Sequence, residues 1–104
     1  MNSGLILVVS LFIHPGREVE FRQFETEAAR VMKKYGGQIV QVIRPTGSGQ
    51  PGPSPHEIHI VSFPSLESFE AYRGDPDLAR LAPLRQAAIA RTEVIVGAEG
   101  EPYL

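Results

Sequence analysis

The chain has 104 residues, and its ten Lys and Arg against twelve Asp and Glu give a formal charge of −2, which fits one domain near the size at which a single core just sustains itself. With no basic field, nucleic acid is not an expected partner. With no cysteine, disulfides, thiolate metal sites and cysteine nucleophiles are excluded, and the composition suits a reducing, cytoplasmic setting.

The first element is the apolar run LILVVSLFI, residues 5 to 13. It lacks a preceding Lys or Arg and a small-residue cleavage pattern after it, so it does not read as a secretory signal. It is also far shorter than the roughly 20 residues a membrane helix requires, and no membrane partner is expected. Its β-branched content and its end at His14-Pro15-Gly16 predict a strand covered on both faces.

From Arg17 the period changes. Phe21, Phe24, Ala28, Val31, Met32 and Tyr35 recur at steps of three and four, while Arg17, Glu18, Glu20, Arg22, Glu27, Arg30 and Lys34 occupy the other faces. This is an amphipathic helix, which Gly36-Gly37 ends. Residues 38 to 44 and 57 to 63 predict two further strands. The four prolines and three glycines between them, residues 45 to 55, cannot pair in a sheet interior and predict an exposed loop joining antiparallel neighbours.

Ser65 is the expected N-cap of a helix with Leu66, Phe69 and Tyr72 on its inner side and a stop near Gly74. Asp75-Pro76 restarts the helical chain. Residues 78 to 90 continue it, and residues 92 to 97, TEVIVG, predict the last strand. The order strand, helix, strand, strand, helix pair, strand defines an α+β fold of the split βαβ, ferredoxin-like kind: a βαββαβ protomer over residues 1–104, with a four-stranded antiparallel sheet and helices on one face. The strands are apolar at both parities, so the uncovered face needs a partner. The simplest is an identical sheet, giving a face-to-face homodimer, a dimeric α/β barrel.

Three histidines are present, His14, His56 and His59. In a strand the spacing of His56 and His59 sends them to opposite sides, so no metal site is expected from them. His14 and His56 flank turns and are expected in solvent. His59 shares parity with Glu57, Val61 and Phe63 and is a candidate base or donor, against the alternative of a partly buried histidine bonded to backbone or water. Ser10, Gln41, Glu57, His59 and Glu93 interrupt the strand runs; on one face they would form the polar patch of a small-molecule pocket, and otherwise edge or interface contacts.

Leu78, Leu81, Arg85 and Ala88 follow helical spacing for a buried stripe, which turns Arg85 toward the sheet. Its planar fork suits a carboxylate, phosphate or enolate oxygen, with Tyr72 as a phenolic donor. The alternative is that Arg85 reaches the rim or pairs with Glu57 or Glu93. Arg44 is a second anion-binding candidate with the same alternative. The chain contains no glycine-rich phosphate cradle, nucleophile elbow or zinc motif, and no cofactor or metal is expected.

The segment FPSLESFEAYRGDPDLARLAPLRQAAIARTEVIVG, residues 63 to 97, with KKYGGQIV at residues 33 to 40, resembles domain-of-unknown-function family 1330 of the dimeric α/β-barrel superfamily. FPSLESFEAY looks like its strand-to-helix junction, DPDL its second helical start, PLRQAA its arginine-bearing helix and VIVG its last strand. Leu78 stands where relatives often carry tyrosine. The resemblance implies a ferredoxin-like protomer in a face-to-face dimer and matches Arg85 to the family's arginine position. It implies no established reaction, since similar folds host cofactor-free oxygenases, isomerases, haem-degrading enzymes and proteins without known activity. The expected function is a small homodimer that binds a small anionic or enolisable organic molecule, with Arg85 orienting the anion and Tyr72 and His59 as donor or base. Its chemistry, if catalytic, would be cofactor-free and monooxygenase- or isomerase-like. The alternative is a non-catalytic ligand-binding or scaffold dimer with a structural arginine.

Overall fold

The computed structural model describes residues 4–47 and 54–103, so residues 48–53 of the expected proline-rich loop lie outside it. Its elements in chain order are β1 (Leu5–Ile13), α1 (Glu18–Lys33), β2 (Gln38–Ile43), β3 (Glu57–Phe63), α2 (Leu66–Arg73), α3 (Pro76–Ala79), α4 (Ala82–Ala88) and β4 (Ile89–Ala98). The strands form one sheet in the order β2-β3-β1-β4, with every neighbouring pair antiparallel. This is the ferredoxin-like α+β arrangement expected from the sequence.

Register assigns the two faces. Leu7 lies opposite Val61 and Val96, and Leu11 opposite Glu57 and Thr92. Because side chains alternate along a strand, Leu5, Leu7, Val9 and Leu11 share a face with Glu57, His59, Val61 and Phe63. The helices cover this face: Leu11 packs with Phe21, Phe24 and Ala88, and Leu7 with Met32, Val61 and Phe63. Phe21, Phe63 and Leu7 are the largest fully buried side chains, each contributing roughly 1.5–3 kcal/mol of burial free energy. Ile6, Val8, Phe12, Ile58, Ile60 and Ile95 occupy the opposite, open face, and the molecule is only 16 Å thick along its shortest axis.

The helix ends follow local chemistry. Gly36 takes φ 75°, and the next amide, Gly37, donates to the Met32 carbonyl at 3.1 Å, closing α1 with the left-handed residue such a stop requires. Gly37 itself is a packing requirement, because a Cβ there would fall on the Phe63 ring and the Met32 side chain. Ser65 accepts from the Ser68 amide at 3.1 Å and caps α2. Asp75 accepts from the Asp77 amide at 2.7 Å and caps α3. The Asp75 carboxylate also receives the Tyr35 hydroxyl at 2.5 Å and lies 2.9 Å from Lys34 Nζ, so it ties the α3 start to the end of α1.

Three expectations change in detail. Leu66 is exposed rather than turned inward, standing at the first position of α2; Phe69 and Tyr72 carry the inner contacts. The helical run of residues 78 to 90 is broken between α3 and α4, where Pro83 fits the first turn of the new helix since it has no amide to place there. Its register nevertheless persists: the Leu81 amide bonds the Leu78 carbonyl and the Arg85 amide the Leu81 carbonyl. Finally, β4 begins at Ile89 rather than Thr92, since a bulge between Phe12 and Ile13 lets Ile89 pair with Ile13.

Candidate functional site

The sheet's covered face and the helices enclose a cavity of about 340 Å³. Its walls are mostly apolar, with Val9, Phe24, Met32, Phe63, Phe69 and Leu78 among them. Polar side chains reach its lining from five elements: Glu25 on α1, His59 on β3, Tyr72 and Arg73 on α2, Arg85 on α4 and Thr92 on β4. A concave apolar site with a few converging polar groups is the ordinary form of a small-molecule site.

His59 is the best-anchored of these groups. It is 4 % exposed, and its Nε2 lies 2.7 Å from Glu57 Oε1, two residues away on the same strand face. Glu57 Oε2 accepts in turn from Arg44 Nε at 2.9 Å. On the other side of the ring, His59 Nδ1 lies 3.6 Å from Glu25 Oε1. With Nε2–H donating to Glu57, the second ring nitrogen is presented to Glu25, since the partner of one imidazole nitrogen fixes the role of the other.

The two carboxylates have opposite electrostatics. Burial pushes the Glu25 carboxyl up and the Glu57 charge adds to this, while His59 and Arg85 pull against it; the net is a raised pKa. Burial acts on Glu57 in the same sense, but the hydrogen bonds from His59 and Arg44, with their charges, outweigh it and hold Glu57 below its ordinary value. The two carboxyls on either side of one imidazole therefore differ in proton affinity, Glu25 raised and Glu57 lowered. Tyr72 is pushed up to about 12 by burial and by the Glu25 charge, against Arg85, so it keeps its proton.

The predicted residues separate into three groups. His59, Tyr72 and Arg85 all line the cavity. Arg85 is exposed at its outer side and bonds Thr92 Oγ1 at 2.8 Å, not Glu57 or Glu93. Arg44 does not line the cavity, its guanidinium being engaged by Glu57. Ser10 and Gln41 are carried to the open face, where Ser10 lies opposite Ile58 and Glu93 and Gln41 opposite Ile60.

The single polar patch expected from the strand interruptions is thus two patches. Glu57 and His59 lie on the covered face, and Ser10, Gln41 and Glu93 on the open one, because β1 and β3 pair with Ser10 against Ile58 rather than His59. A shift between Ile39 and Gln41 further sets the β2 parity. His56 also departs from its expected solvent position, packing edge-on to Phe21 with ring centroids 5.2 Å apart. Among the described residues no group of three or more His, Asp or Glu side chains is arranged to hold a metal ion.

Glu25 is the site residue that the sequence reading passed over. It falls four residues after Phe21, three before Ala28 and seven before Met32, inside the apolar stripe of α1 rather than on its polar faces. A charged residue at a stripe position is the signal that could have found it.

The sheet order, the single helix layer and the cavity between the layers define a ferredoxin-like α+β protomer with an internal pocket. The chain belongs to the DUF1330 family, a domain of unknown function whose model matches residues 7–98. Among solved structures it is similar to the RPA0582 protein of unknown function from Rhodopseudomonas palustris, with 16% identity and a TM-score of 0.82 over 98% of this chain and 86% of that one. It is also similar to SnoaB, a cofactor-independent oxygenase from Streptomyces nogalater, with 13% identity and a TM-score of 0.71 over 96% of each chain. A dimeric protein of unknown function with a ferredoxin-like fold from Bacteroides fragilis matches at 11% identity and a TM-score of 0.68, over 92% of this chain and 96% of that one. No curated protein matches the chain by sequence. Among the described residues no helix is long and apolar enough to cross a membrane.

Proposed function

We propose that this protein binds a small organic molecule bearing an anionic or enolisable group in the cavity between helices and sheet. The observation that carries the reading is the convergence of His59, Tyr72 and Arg85 on one largely apolar cavity. Arg85 supplies the charge that orients an oxyanion at the solvent side, Tyr72 donates a hydrogen bond, and the apolar walls hold the carbon skeleton. The chemistry that suits these groups is cofactor-free: proton transfer, or oxygen addition to a substrate that supplies its own electrons. SnoaB offers a precedent for cofactor-free chemistry on this fold.

The working unit in this reading is a homodimer joined through the open sheet face. Ile6, Val8, Ile58, Ile60 and Ile95 lie on that face, and Ile95 is 68 % exposed. A second copy presents the same apolar surface and covers it with two-fold symmetry. The dimeric protein of the same fold from Bacteroides fragilis supports self-association.

Phenylpyruvate is a suitable probe, since it combines a carboxylate, an acidic methylene and an apolar ring. In NMR titrations the amides of the cavity walls shift on its addition, and Arg85→Ala weakens its binding by at least roughly 10-fold, the cost of one charged hydrogen bond, while the variant stays folded. Unchanged affinity in Arg85→Ala would remove the residue from the site. The Arg85–Thr92 hydrogen bond favours a second reading, a non-catalytic dimer with a structural arginine. Its signature is a lower melting temperature in Arg85→Ala and no response to the probe.

A further inference from the structure

We propose that Glu25 is the catalytic acid–base residue of the cavity, moving a proton to and from carbon on an enolisable carbonyl compound, with Glu57 and Arg44 as positioning residues acting through His59. The inference rests on the proposed binding site and names the substrate class it takes: an oxo acid with an acidic C–H beside the carbonyl and an apolar substituent.

The placement is specific to this carboxyl. Glu25 projects from α1 among Phe21, Phe24 and Ala28, which are buried core residues, and it lines the cavity. The charged and titratable groups that act on it come from three elements: His59 and Glu57 from β3, Arg85 from α4, and Tyr72 from α2, which feels the Glu25 charge. Among the described residues no partner of Glu25 approaches as closely as Glu57 approaches His59: the Glu25–His59 separation is 3.6 Å against 2.7 Å. Glu57 is pinned between Arg44 and His59 and is not part of the cavity lining. Of the two carboxyls, Glu25 alone is both in the cavity and free of a tight partner, and its raised affinity for the proton suits exchange with carbon acids.

In the forward step the C–H bond beside the substrate carbonyl breaks and its proton forms an O–H bond at the Glu25 carboxylate. The electron pair of the broken bond becomes the enolate π-bond, and the carbonyl electrons move to oxygen. Tyr72 donates to that oxygen, and Arg85 holds the substrate carboxylate. Transfer of the same proton from Glu25 to the enolate oxygen gives the enol and regenerates the carboxylate, and the reverse sequence, from enol oxygen through Glu25 to carbon, gives the keto form. No oxidant, reductant or metal enters the balance. His59, held by Glu57, stands behind Glu25 with its second ring nitrogen 3.6 Å from the carboxyl.

The test is keto–enol interconversion of phenylpyruvate, followed by ultraviolet absorbance, for the wild type, Glu25→Gln, Glu25→Asp and Glu57→Gln, with binding of the same probe measured by NMR. The expected result is catalysis above buffer by the wild type and a loss of at least about 100-fold in kcat with Glu25→Gln, with binding retained. Glu25→Asp restores part of the rate, and Glu57→Gln displaces the pH–rate profile, which a merely structural role would not do. Binding without catalysis in the wild type, or full activity in Glu25→Gln, overturns the assignment of Glu25 and leaves the binding site standing. Absence of binding overturns both.

Discussion

Glu57 and His59 sit two residues apart on β3, share its helix-covered face and meet at 2.7 Å, with the imidazole 4 % and the carboxylate residue 7 % exposed. A polar pair this deep persists because each partner satisfies the other, and Arg44 completes the arrangement from just past the end of β2. Replacing Glu57 with Ala strands a ring nitrogen in the interior and is expected to cost about 1–3 kcal/mol, read as a lower urea midpoint with unchanged slope. Because the folded Glu57 pKa is depressed, its contribution is fully present above the ordinary carboxylate value and is lost as pH falls through the folded value. The variant therefore loses part of the wild type's acid-side stability profile.

Glu25 carries the opposite sign. Its pKa is raised in the fold, chiefly by burial, so the unfolded chain releases this proton at lower pH than the folded chain does. Stability then falls as pH rises from the ordinary value of 4.5 through the folded one. Glu25→Gln keeps the shape and removes the charge, and it is expected to melt higher than the wild type at neutral pH and to flatten that part of the curve. Thermal melts from acid to neutral pH check this; a lower melting temperature at neutral pH would contradict it.

Asp75 couples α1 to α3 through Tyr35, Lys34 and its own capping bond. Its pKa is lowered to about 2, mainly by the Tyr35 and Lys34 hydrogen bonds, so its stabilisation is full above the ordinary value of 3.8 and disappears as pH falls toward 2. Asp75→Ala removes an N-cap as well, a loss of about 0.5–2 kcal/mol. Hydrogen exchange is expected to accelerate first in α3 and the end of α1, with the β1–β3 ladder still protected.

Ile95 and Val94 are adjacent on β4 but serve different faces: Ile95 lies opposite Val8 on the open face, Val94 opposite Val9 on the covered one. Lys at 95 places a charge in the proposed dimer interface and is expected to yield monomers in analytical ultracentrifugation. Lys at 94 stands at the cavity edge and leaves the assembly intact while altering ligand binding. Equal effects of the two substitutions on assembly would contradict a dimer built on the open face.

Much of this architecture was legible in the residues. The three- and four-residue steps from Phe21 to Met32 defined α1, the Ser65 and Asp75 caps located two helix starts, and the two-sided apolar strands foretold an uncovered face. Strand parity alone placed His59 with Glu57, Val61 and Phe63. What it could not supply was the pairing between strands: Ser10 and Gln41 look like companions of His59 until the β1–β3 register and the β2 irregularity send them to the other side. Arg44 and Arg85 were alike as sequence signals and differ because only Arg44 meets a carboxylate. Glu25 was hidden among the many acids of α1, and only its place in the apolar stripe distinguishes it from Glu27, which pairs with Arg30 on the exposed side.

The binding of an anionic or enolisable molecule in the cavity is tested most directly by a crystal structure of the protein grown with phenylpyruvate. The expected density shows the ring among Phe24, Met32 and Phe69, the carboxylate at Arg85 and the methylene carbon within reach of Glu25. Phenylpyruvate bound on the open sheet face, or a cavity without it at saturating concentration, would contradict this function.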